Sequence, residues 1–264
     1  MPALLTISLS AQDPASVPFV WGETRTLHSA ILAEDRKLNI LMPDGYSPDS
    51  AARYPVIYVL DGAADEDIFH LGGLVQFASM PWVGWLPPSI VVGIANVDRK
   101  RDFTYPTSIA KDKADYPTTG GSAAFLHFLS DELMPYIDSM YHTDGERMLI
   151  GQSLGGLLAI EAMFTQPRLF TRYLIISPSL WWDNGSLLKG HPTGTLNSDT
   201  VPSHVYIAVG REGSVMEGQA RRLVAMLRKD ERIRVGFGYL PQLDHATIMH
   251  QAVMDGFRWM GSAR

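Results

Sequence analysis

The sequence predicts an α/β protein with a central, mostly parallel β-sheet covered by helices on both faces. Short apolar runs rich in Val, Ile, Leu and Tyr recur along the chain, and most are followed by a run whose apolar residues have helical spacing. Strands that alternate with helices form parallel sheets, because the crossover helices lie on the faces of the sheet. The near-continuous apolarity of the runs indicates strands buried on both sides. We expect one domain over residues 1–264, with residues 1–22 as an extended or irregular N-terminal arm.

Length and composition agree with a globular enzyme. The 264 residues are 46% hydrophobic and 19% charged, so a large core can form and neither a disordered nor a fibrous protein is indicated. The formal net charge of −6 argues against binding through clustered Lys and Arg, so we expect neither a nucleic-acid nor a membrane partner. The absence of cysteine excludes a disulfide framework, a thiolate nucleophile and a Cys-ligated metal site.

The N-terminal stretch MPALLTISLSAQDPAS departs from a typical secretory signal. It lacks a positively charged start and carries Thr6 and Ser8 inside its apolar run. We therefore predict a soluble, cytoplasmic protein, while a periplasmic or secreted location stays open if the stretch is a degenerate or truncated signal. No other segment approaches the ~18 uninterrupted apolar residues of a membrane helix.

The predicted elements begin with two antiparallel strands within residues 23–43, ended by the turn Pro43–Gly45. Two long stretches lack periodicity: residues 102–122, either a lid-like functional loop or an ordinary surface excursion, and residues 183–202, a loop. The later strands are predicted at 54–60, 88–95, 148–150, 173–177, 204–210 and 233–237, and helices are predicted from Asp65, from Gly121 through Ile137, from Leu154, around Leu223 and from His245.

The stretch around Ser153 carries the strongest functional signal. Met148–Ile150 reads as a buried strand, Gly151–Gly155 matches the pattern G-x-S-x-G, and a helix-forming run follows at once. The pattern alone is loose, but its specific context is a strand before it and a helix after it, and both are predicted here. A serine in such a sharp turn needs small neighbours, because the backbone segments approach closely. Ser153 is therefore predicted to present its hydroxyl at the top of the sheet as a nucleophile.

Two further residues follow Ser153 in an order that suits a catalytic triad. Glu212 comes directly after the predicted strand at 204–210, and His245 opens the final helix. The order serine, acid, histidine, each beyond the end of a strand, is the order expected of α/β-hydrolases. His250 is the alternative to His245, but its place inside the helix is more typical of a half-buried packing residue.

Three other groups of residues have a functional and a structural interpretation. The acids Asp65–Asp67 lack the glycine and terminal glutamate of a calcium loop, and acids in the first turn of a helix favour its dipole, so we expect neither a metal nor a cofactor. Trp181 and Trp182 follow a strand at the edge where α/β ligands bind, and they wall a pocket or pack in the core. Arg99–Arg101 steer an anionic substrate or belong to a solvated loop.

With these residues in place, the chain resembles the putative-esterase branch of the α/β-hydrolases. That branch includes enterobactin and salmochelin esterases and, more distantly, feruloyl esterases and the antigen 85 acyltransferases. The resemblance extends from about Thr26 to the end of the chain, and it is carried by Tyr54–Gly62, Val92–Pro106, Gly120–Tyr141, the elbow GQSLGGLLAI, Ser177–Trp182 and Asp244–His245.

The resemblance implies an α/β-hydrolase fold and a serine esterase that works through an acyl-enzyme. The expected substrate is a small-molecule ester, either a siderophore trilactone or an aryl or short-chain acyl ester. An acyltransferase and a non-catalytic binding protein on the same fold are the alternatives, and the oligomeric state stays undetermined.

The same resemblance implies roles for individual residues. Ser153 is the nucleophile and His245 the general base, and the backbone N–H groups of Ala63 and Leu154 form the oxyanion hole. The acid is Glu212, where siderophore-esterase-like sequences carry an Arg-Glu pair, or Glu217, where antigen 85-like members place theirs. Glu212 is preferred. Among the cationic residues, the resemblance favours Arg101 as the one that steers a catecholate substrate, with Trp181 and Trp182 as further substrate contacts.

Overall fold

Residues 17–190 and 202–262, which the computed structural model describes, form an eight-stranded sheet in the order β1-β2-β4-β3-β5-β6-β7-β8. The first two strands form an antiparallel hairpin, and β2 also runs antiparallel to β4. All pairs from β4 to β8 are parallel, so the predicted mostly parallel sheet is confirmed. The strands are β1 (Glu23–Ser29), β2 (Glu34–Leu41), β3 (Tyr54–Val59), β4 (Ile90–Ile94), β5 (Thr143–Gln152), β6 (Arg172–Ile176), β7 (His204–Gly210) and β8 (Arg234–Leu240).

Helices cover both faces of the sheet. One face carries α1 (Ile68–Ser79) and α9 (Ile248–Gly261), and the other carries most of the remaining helical residues. The predicted helix after Gly121 is present, although its middle turn is π-helical. The other helices are α2 (Arg99–Asp102), α3 (Ala110–Asp115), α4 (Ser122–His127), the π-helical segment Phe128–Leu133, α5 (Met134–Met140), α6 (Leu154–Thr165), α7 (Trp182–Gly190) and α8 (Gly213–Leu227).

The central strand β5 shows why the apolar runs of the sequence are continuous. Successive side chains of a strand point to opposite faces of the sheet. Leu149 therefore joins the core under α6 and α8, whereas Met148 and Ile150 join the core under α1 and α9. Since helices cover both faces here, the consecutive positions Met148–Ile150 are all apolar, whereas the exposed positions near the start of the strand are polar or glycine.

The structure corrects one of the two loop predictions. Residues 183–190 of the predicted loop belong to α7, which begins at Trp182, and residues 191–201 lie outside the described part of the chain. The helix is interrupted by left-handed backbone at Asp183, Asn184 and Gly185. These are the residue types that tolerate a positive φ, and their turn-like composition masked the helix in the sequence.

The stretch 102–122 is less irregular than its composition suggested, because it contains the end of α2, all of α3 and the start of α4. Most of the predicted N-terminal arm, residues 1–16, lies outside the described residues. Residues 17–22 form neither helix nor strand, and the ring of Trp21 stacks on Phe69 of α1 at 6.0 Å. None of the helices in the described residues is long and apolar enough to span a membrane.

A buried carboxyl group lies in the middle of α6. Glu161 is only 7% exposed, and its Oε1 accepts a hydrogen bond of 2.9 Å from the hydroxyl of Ser122 in α4. Its Oε2 has no hydrogen-bond partner within the described residues. Burial raises the pKa of Glu161 from its ordinary value of 4.5 to about 7, because ionisation would leave a charge in the apolar core.

We expect Glu161→Gln to stabilise the protein at pH 8 and to leave it almost unchanged at pH 4.5. The folded state holds the proton up to about pH 7, whereas the unfolded chain releases it near pH 4.5, so the wild type loses stability as pH rises through this interval. The gain at pH 8 should be on the order of 2–3 kcal/mol, since one pKa unit corresponds to about 1.4 kcal/mol. Thermal unfolding at both pH values measures it.

The matched control for this stability measurement is Glu231→Gln, which alters an exposed carboxylate. It should give the same small change at both pH values. A Glu161→Gln variant whose gain does not depend on pH would contradict the assignment of the raised pKa to Glu161.

Candidate active site

The predicted strand, turn and helix around Ser153 are present. Ser153 lies between the end of β5 and the start of α6 with φ 60° and ψ −116°, a conformation that costs a non-glycine residue on the order of 1–3 kcal/mol. Two main-chain bonds from the adjacent β6 segment hold it: its N–H donates to the carbonyl of Ile176, and its carbonyl accepts from Ser179, each at 3.0 Å. A Cβ on Gly151 would lie 2.6 Å from the backbone of Gly155, which explains the first glycine of the motif.

The segment that carries His245 lies against the same end of the sheet. The carbonyl of Leu243 accepts a hydrogen bond of 2.7 Å from Arg211, and a Cβ on Gly210 would lie 2.6 Å from that carbonyl. The side chain of Gln152 donates to the carbonyl of His245 at 2.5 Å. Glycine at the end of β7 therefore lets the His245 segment pack closely, and Gln152 ties it to the residue before Ser153.

Glu212 and His245 are in direct contact. The imidazole Nδ1 and Glu212 Oε2 are 2.5 Å apart. The carboxylate is 3% exposed, whereas the imidazole is 46% exposed. A buried carboxylate that binds Nδ1 of a partly exposed imidazole leaves Nε2 as the ring nitrogen that can act as a base.

The second oxygen of the Glu212 carboxylate is also bound. Oε1 accepts hydrogen bonds from the hydroxyl of Ser177 at 2.5 Å and from the N–H of Gly210 at 2.8 Å. Burial alone would raise the pKa of Glu212, but the hydrogen bonds from His245, Ser177 and Gly210 outweigh burial and lower it. The carboxylate is therefore held in its ionised form. Ser177 was missed in the sequence, because nothing local in it signals a bond to a residue 35 positions away.

Glu217, the other candidate acid, binds main-chain N–H groups rather than His245. Its carboxylate accepts hydrogen bonds from the N–H groups of Glu212 and Gly213 at the N-terminus of α8, each at 3.2 Å. It thus satisfies free N–H groups of the first helical turn. Of the two candidate acids, Glu212 is the one that contacts His245.

The hydroxyl of Ser153 bonds the hydroxyl of Ser179 at 3.2 Å. Within the described residues, no hydrogen bond joins Ser153 to His245. In ligand-free enzymes, bonds between a nucleophile and its base are often long or poorly aligned and tighten only in the substrate complex. Ser179 was not singled out in the sequence, and it is the present partner of the candidate nucleophile.

The two candidate oxyanion donors differ in the structure. The N–H of Leu154 begins α6, where first-turn N–H groups have no intrahelical acceptor, and no other acceptor binds it within the described residues. The N–H of Ala63 donates to Oε2 of Glu66 at 2.9 Å. The Ala63 donor is therefore occupied by a carboxylate of this chain, which the sequence did not predict.

An ion pair joins the Ala63 loop to the Ser153 turn. The Arg99 guanidinium binds both oxygens of Asp61, Nε at 2.5 Å and Nη2 at 2.8 Å. Nη2 also donates to the carbonyl of Gln152 at 3.3 Å. Asp61 has a positive φ of 56° and directly precedes the loop that carries Ala63. Arg99 thus lies at the candidate site.

Arg101, the cation preferred from the sequence, is already paired. Its Nη1 and Nη2 bind the carboxylate of Glu34, and its Nε binds Asp102 at 2.8 Å. A guanidinium whose nitrogens are all bound to carboxylates is poorly suited to hold a substrate anion as well. The substrate-steering role of Arg101 stays a prediction that these ion pairs do not favour.

The two tryptophans have different surroundings. Trp182 is 0% exposed, and its Nε1 donates to the carbonyl of Tyr105 at 2.9 Å. The expectation that Trp182 contacts substrate is corrected, because a side chain without exposed surface lines no open pocket. Trp181 is partly exposed and packs against Tyr116, with ring centroids 6.1 Å apart. It stays a candidate substrate contact.

His250 is exposed rather than half-buried, which corrects the packing interpretation. Its ring stacks on His70 of α1 at 5.9 Å, and His70 in turn bonds Asp67 at 3.0 Å. The acids Asp65–Asp67 precede α1, which begins at Ile68 and has no acidic residue in its first turn, so their predicted place in the first helical turn is wrong. In residues 17–190 and 202–262, no group of His, Asp and Glu is arranged to hold a metal ion.

The model of the Putative esterase family matches residues 29–225. The chain belongs to this family. Ferri-bacillibactin esterase BesA of Bacillus subtilis is 29% identical over 247 residues, covering 86% of this chain and 85% of BesA. This esterase is accordingly a carboxylic-ester hydrolase.

Solved structures agree with this assignment. An IroE-like serine hydrolase from Shewanella oneidensis is 31% identical with a TM-score of 0.79, covering 90% of this chain and 79% of that protein. The BES protein from Bacillus cereus is 28% identical with a TM-score of 0.79, covering 94% and 99% of the two chains. The predicted α/β-hydrolase fold is confirmed.

Proposed function

We propose that this esterase is a serine hydrolase with the triad Ser153, His245 and Glu212. The observation that carries the proposal is the 2.5 Å contact between Glu212 and the Nδ1 side of His245, at the same sheet edge as the strained Ser153 turn. A serine nucleophile, an imidazole base and a buried carboxylate that orients the imidazole are the parts that acyl transfer needs.

In the proposed reaction, Ser153 Oγ attacks the carbonyl carbon of the ester while His245 Nε2 takes the hydroxyl proton. Glu212 stabilises the imidazolium that forms. The C–O bond to the alcohol then breaks, and His245 gives the proton to the leaving oxygen, which leaves an acyl group on Ser153. Water, deprotonated by His245, attacks the acyl carbon and releases the acid, and Ser153 recovers its proton.

The negative charge of the tetrahedral intermediates requires hydrogen-bond donors. The N–H of Leu154 has no acceptor among residues 17–190 and 202–262 and can take this role. The N–H of Ala63 can contribute only when its bond to Glu66 is shared or broken. Removing one donor of an oxyanion hole typically costs about 10²–10³ in kcat. Substrate binding is therefore expected to rearrange the Glu66 side chain.

For the substrate, we propose a siderophore ester, supported by the name of the relative BesA, a ferri-bacillibactin esterase. Aryl and short-chain acyl esters are the simpler alternatives. The test is to incubate the enzyme with a triscatecholate trilactone, free and iron-loaded, and to follow the opened products by mass spectrometry. p-Nitrophenyl acetate, butyrate and octanoate serve as comparison substrates.

We expect the trilactone to be opened with a higher kcat/KM than any of the nitrophenyl esters. Added methanol distinguishes hydrolysis from acyl transfer, because a transferase would give methyl ester in excess of free acid. Turnover of nitrophenyl esters alone would reject the siderophore substrate. No turnover of any ester would reject the catalytic proposal itself.

A further inference from the structure

A short segment after β6 contacts both ends of the proposed triad. Ile176 and Ser179 hold the main chain of Ser153, as described above, and Ser177 lies between them. The N–H of Ser177 donates to the carbonyl of Ala208 in β7 at 2.8 Å, and its hydroxyl reaches Glu212 beyond the end of that strand. The segment is therefore attached to the neighbouring strand on each side.

The backbone of Ser177 adopts an unfavourable conformation. It is 0% exposed and has a φ of 45°, in the left-handed region that a non-glycine residue rarely adopts. Its buried hydroxyl would be costly without a partner, and Glu212 Oε1 is that partner. A fully buried serine that keeps an unfavourable backbone conformation and donates its hydroxyl to a carboxylate is well placed to hold that carboxylate in position.

The two oxygens of Glu212 have separate partners. Oε1 takes the two fixed donors, Ser177 Oγ and the N–H of Gly210, and Oε2 takes His245. Because Oε1 is held from two neighbouring strands, the plane of the carboxylate is set and Oε2 is directed at Nδ1. Without Ser177, a single donor would remain on Oε1, and the carboxylate could rotate away from His245.

We propose that Ser177 is a positioning residue of this esterase: its hydroxyl anchors Oε1 of Glu212 so that Oε2 stays directed at His245. The proposal rests on the proposed triad. Ser177 touches neither substrate nor the reacting atoms, and it acts through Glu212. Hydrogen-bond partners that orient metal ligands typically contribute about 10–100-fold to activity, and we expect an effect of the same order here.

Loss of the Ser177 hydroxyl is expected to change the pKa of Glu212. The titratable groups that contact Glu212 within the described residues are His245, in the segment before α9, and Glu217 of α8, which binds its N–H. Removing a donor from the carboxylate raises its pKa and concentrates its negative charge. The carboxylate of the variant is then protonated at a higher pH than in the wild type, so the acid limb of the pH profile moves to higher pH.

The experiment compares Ser177→Ala with Ser177→Gly, which removes the same hydroxyl while suiting the positive φ. We expect kcat on p-nitrophenyl butyrate to fall about 10–100-fold with little change in KM, and the acid limb of kcat/KM to move to higher pH. Ser122→Ala is the matched control, since it removes another buried serine that donates to a buried glutamate, Glu161. It should leave the profile in place.

Glu212→Gln separates this inference from the proposed function. If Glu212→Gln leaves the rate unchanged, the triad fails. If Glu212→Gln is strongly impaired but both Ser177 variants keep the wild-type acid limb, the positioning role fails alone. In the Glu212→Gln background, Ser177→Gly should cost much less than in the wild type, because residues that act through one another are not additive. Full additivity would overturn the inference.

Discussion

Replacing Ser153 with alanine is expected to lower kcat on p-nitrophenyl butyrate by about 10⁴–10⁶ while KM changes little. The reason is that Ser153 Oγ forms the acyl bond, and no other described hydroxyl occupies the strained turn between β5 and α6. Alanine has the same Cβ at φ 60°, so the backbone strain and the fold should be retained. Initial rates of purified wild type and variant, with thermal unfolding of both, measure the effect.

The matched comparison for Ser153 is Ser179→Ala. It removes the hydroxyl that now bonds Ser153 at 3.2 Å but keeps the nucleophile. We expect a loss of less than about tenfold, in line with the modest worth of one neutral hydrogen bond. A Ser153→Ala variant that retains more than a small fraction of wild-type turnover, or a Ser179→Ala variant that loses as much, would reassign the nucleophile.

The second large effect is expected for Glu212→Gln, with kcat lowered by about 10³–10⁴, as for amide replacement of the acid in other triads. Glutamine keeps the shape of the side chain, but it carries no charge to stabilise the imidazolium. Its amide nitrogen can also donate to Nδ1 and so favour the wrong tautomer of His245. The pH profile of kcat/KM and the rate at its optimum measure the loss.

Glu217→Gln is the matched control for the acid. Its side-chain oxygen can still accept from the N–H groups of Glu212 and Gly213, so the start of α8 is retained. We expect its rate to stay within about threefold of the wild type, since these neutral hydrogen bonds can be kept and none of them involves His245. If Glu217→Gln were the more damaging of the two substitutions, Glu217 rather than Glu212 would be the acid.

Local sequence patterns were sufficient for the fold class and for much of the candidate site. Apolar runs of strand length between helical runs predicted the parallel sheet, because a strand that is buried on both faces needs apolar residues at consecutive positions. The strand, the glycine-flanked Ser153 and the helix are consecutive in the chain, so their geometry is encoded within about twenty residues. Glu212 and His245 could be placed as candidates for a similar reason, since Glu212 directly follows a predicted strand and His245 follows the next one after a turn.

The remaining contacts depend on strand register, which no local pattern records. Because β6 lies between β5 and β7, Ser177 meets Glu212 from the next strand, and Ser179 meets Ser153. The same long-range packing pairs Arg99 with Asp61 and binds Glu66 to the N–H of Ala63 beside them.

By itself, the sequence determined that a candidate nucleophile, a candidate acid and a candidate base lie beyond the ends of parallel strands. Only the tertiary structure decided which acid contacts His245, which arginine lies at the site and which tryptophan is buried in the core. The physical reason is that the sequence offers two residues of the same type for each of these roles. Which of the two residues takes the role depends on its burial and on hydrogen-bond partners from distant segments, and the local sequence shows neither.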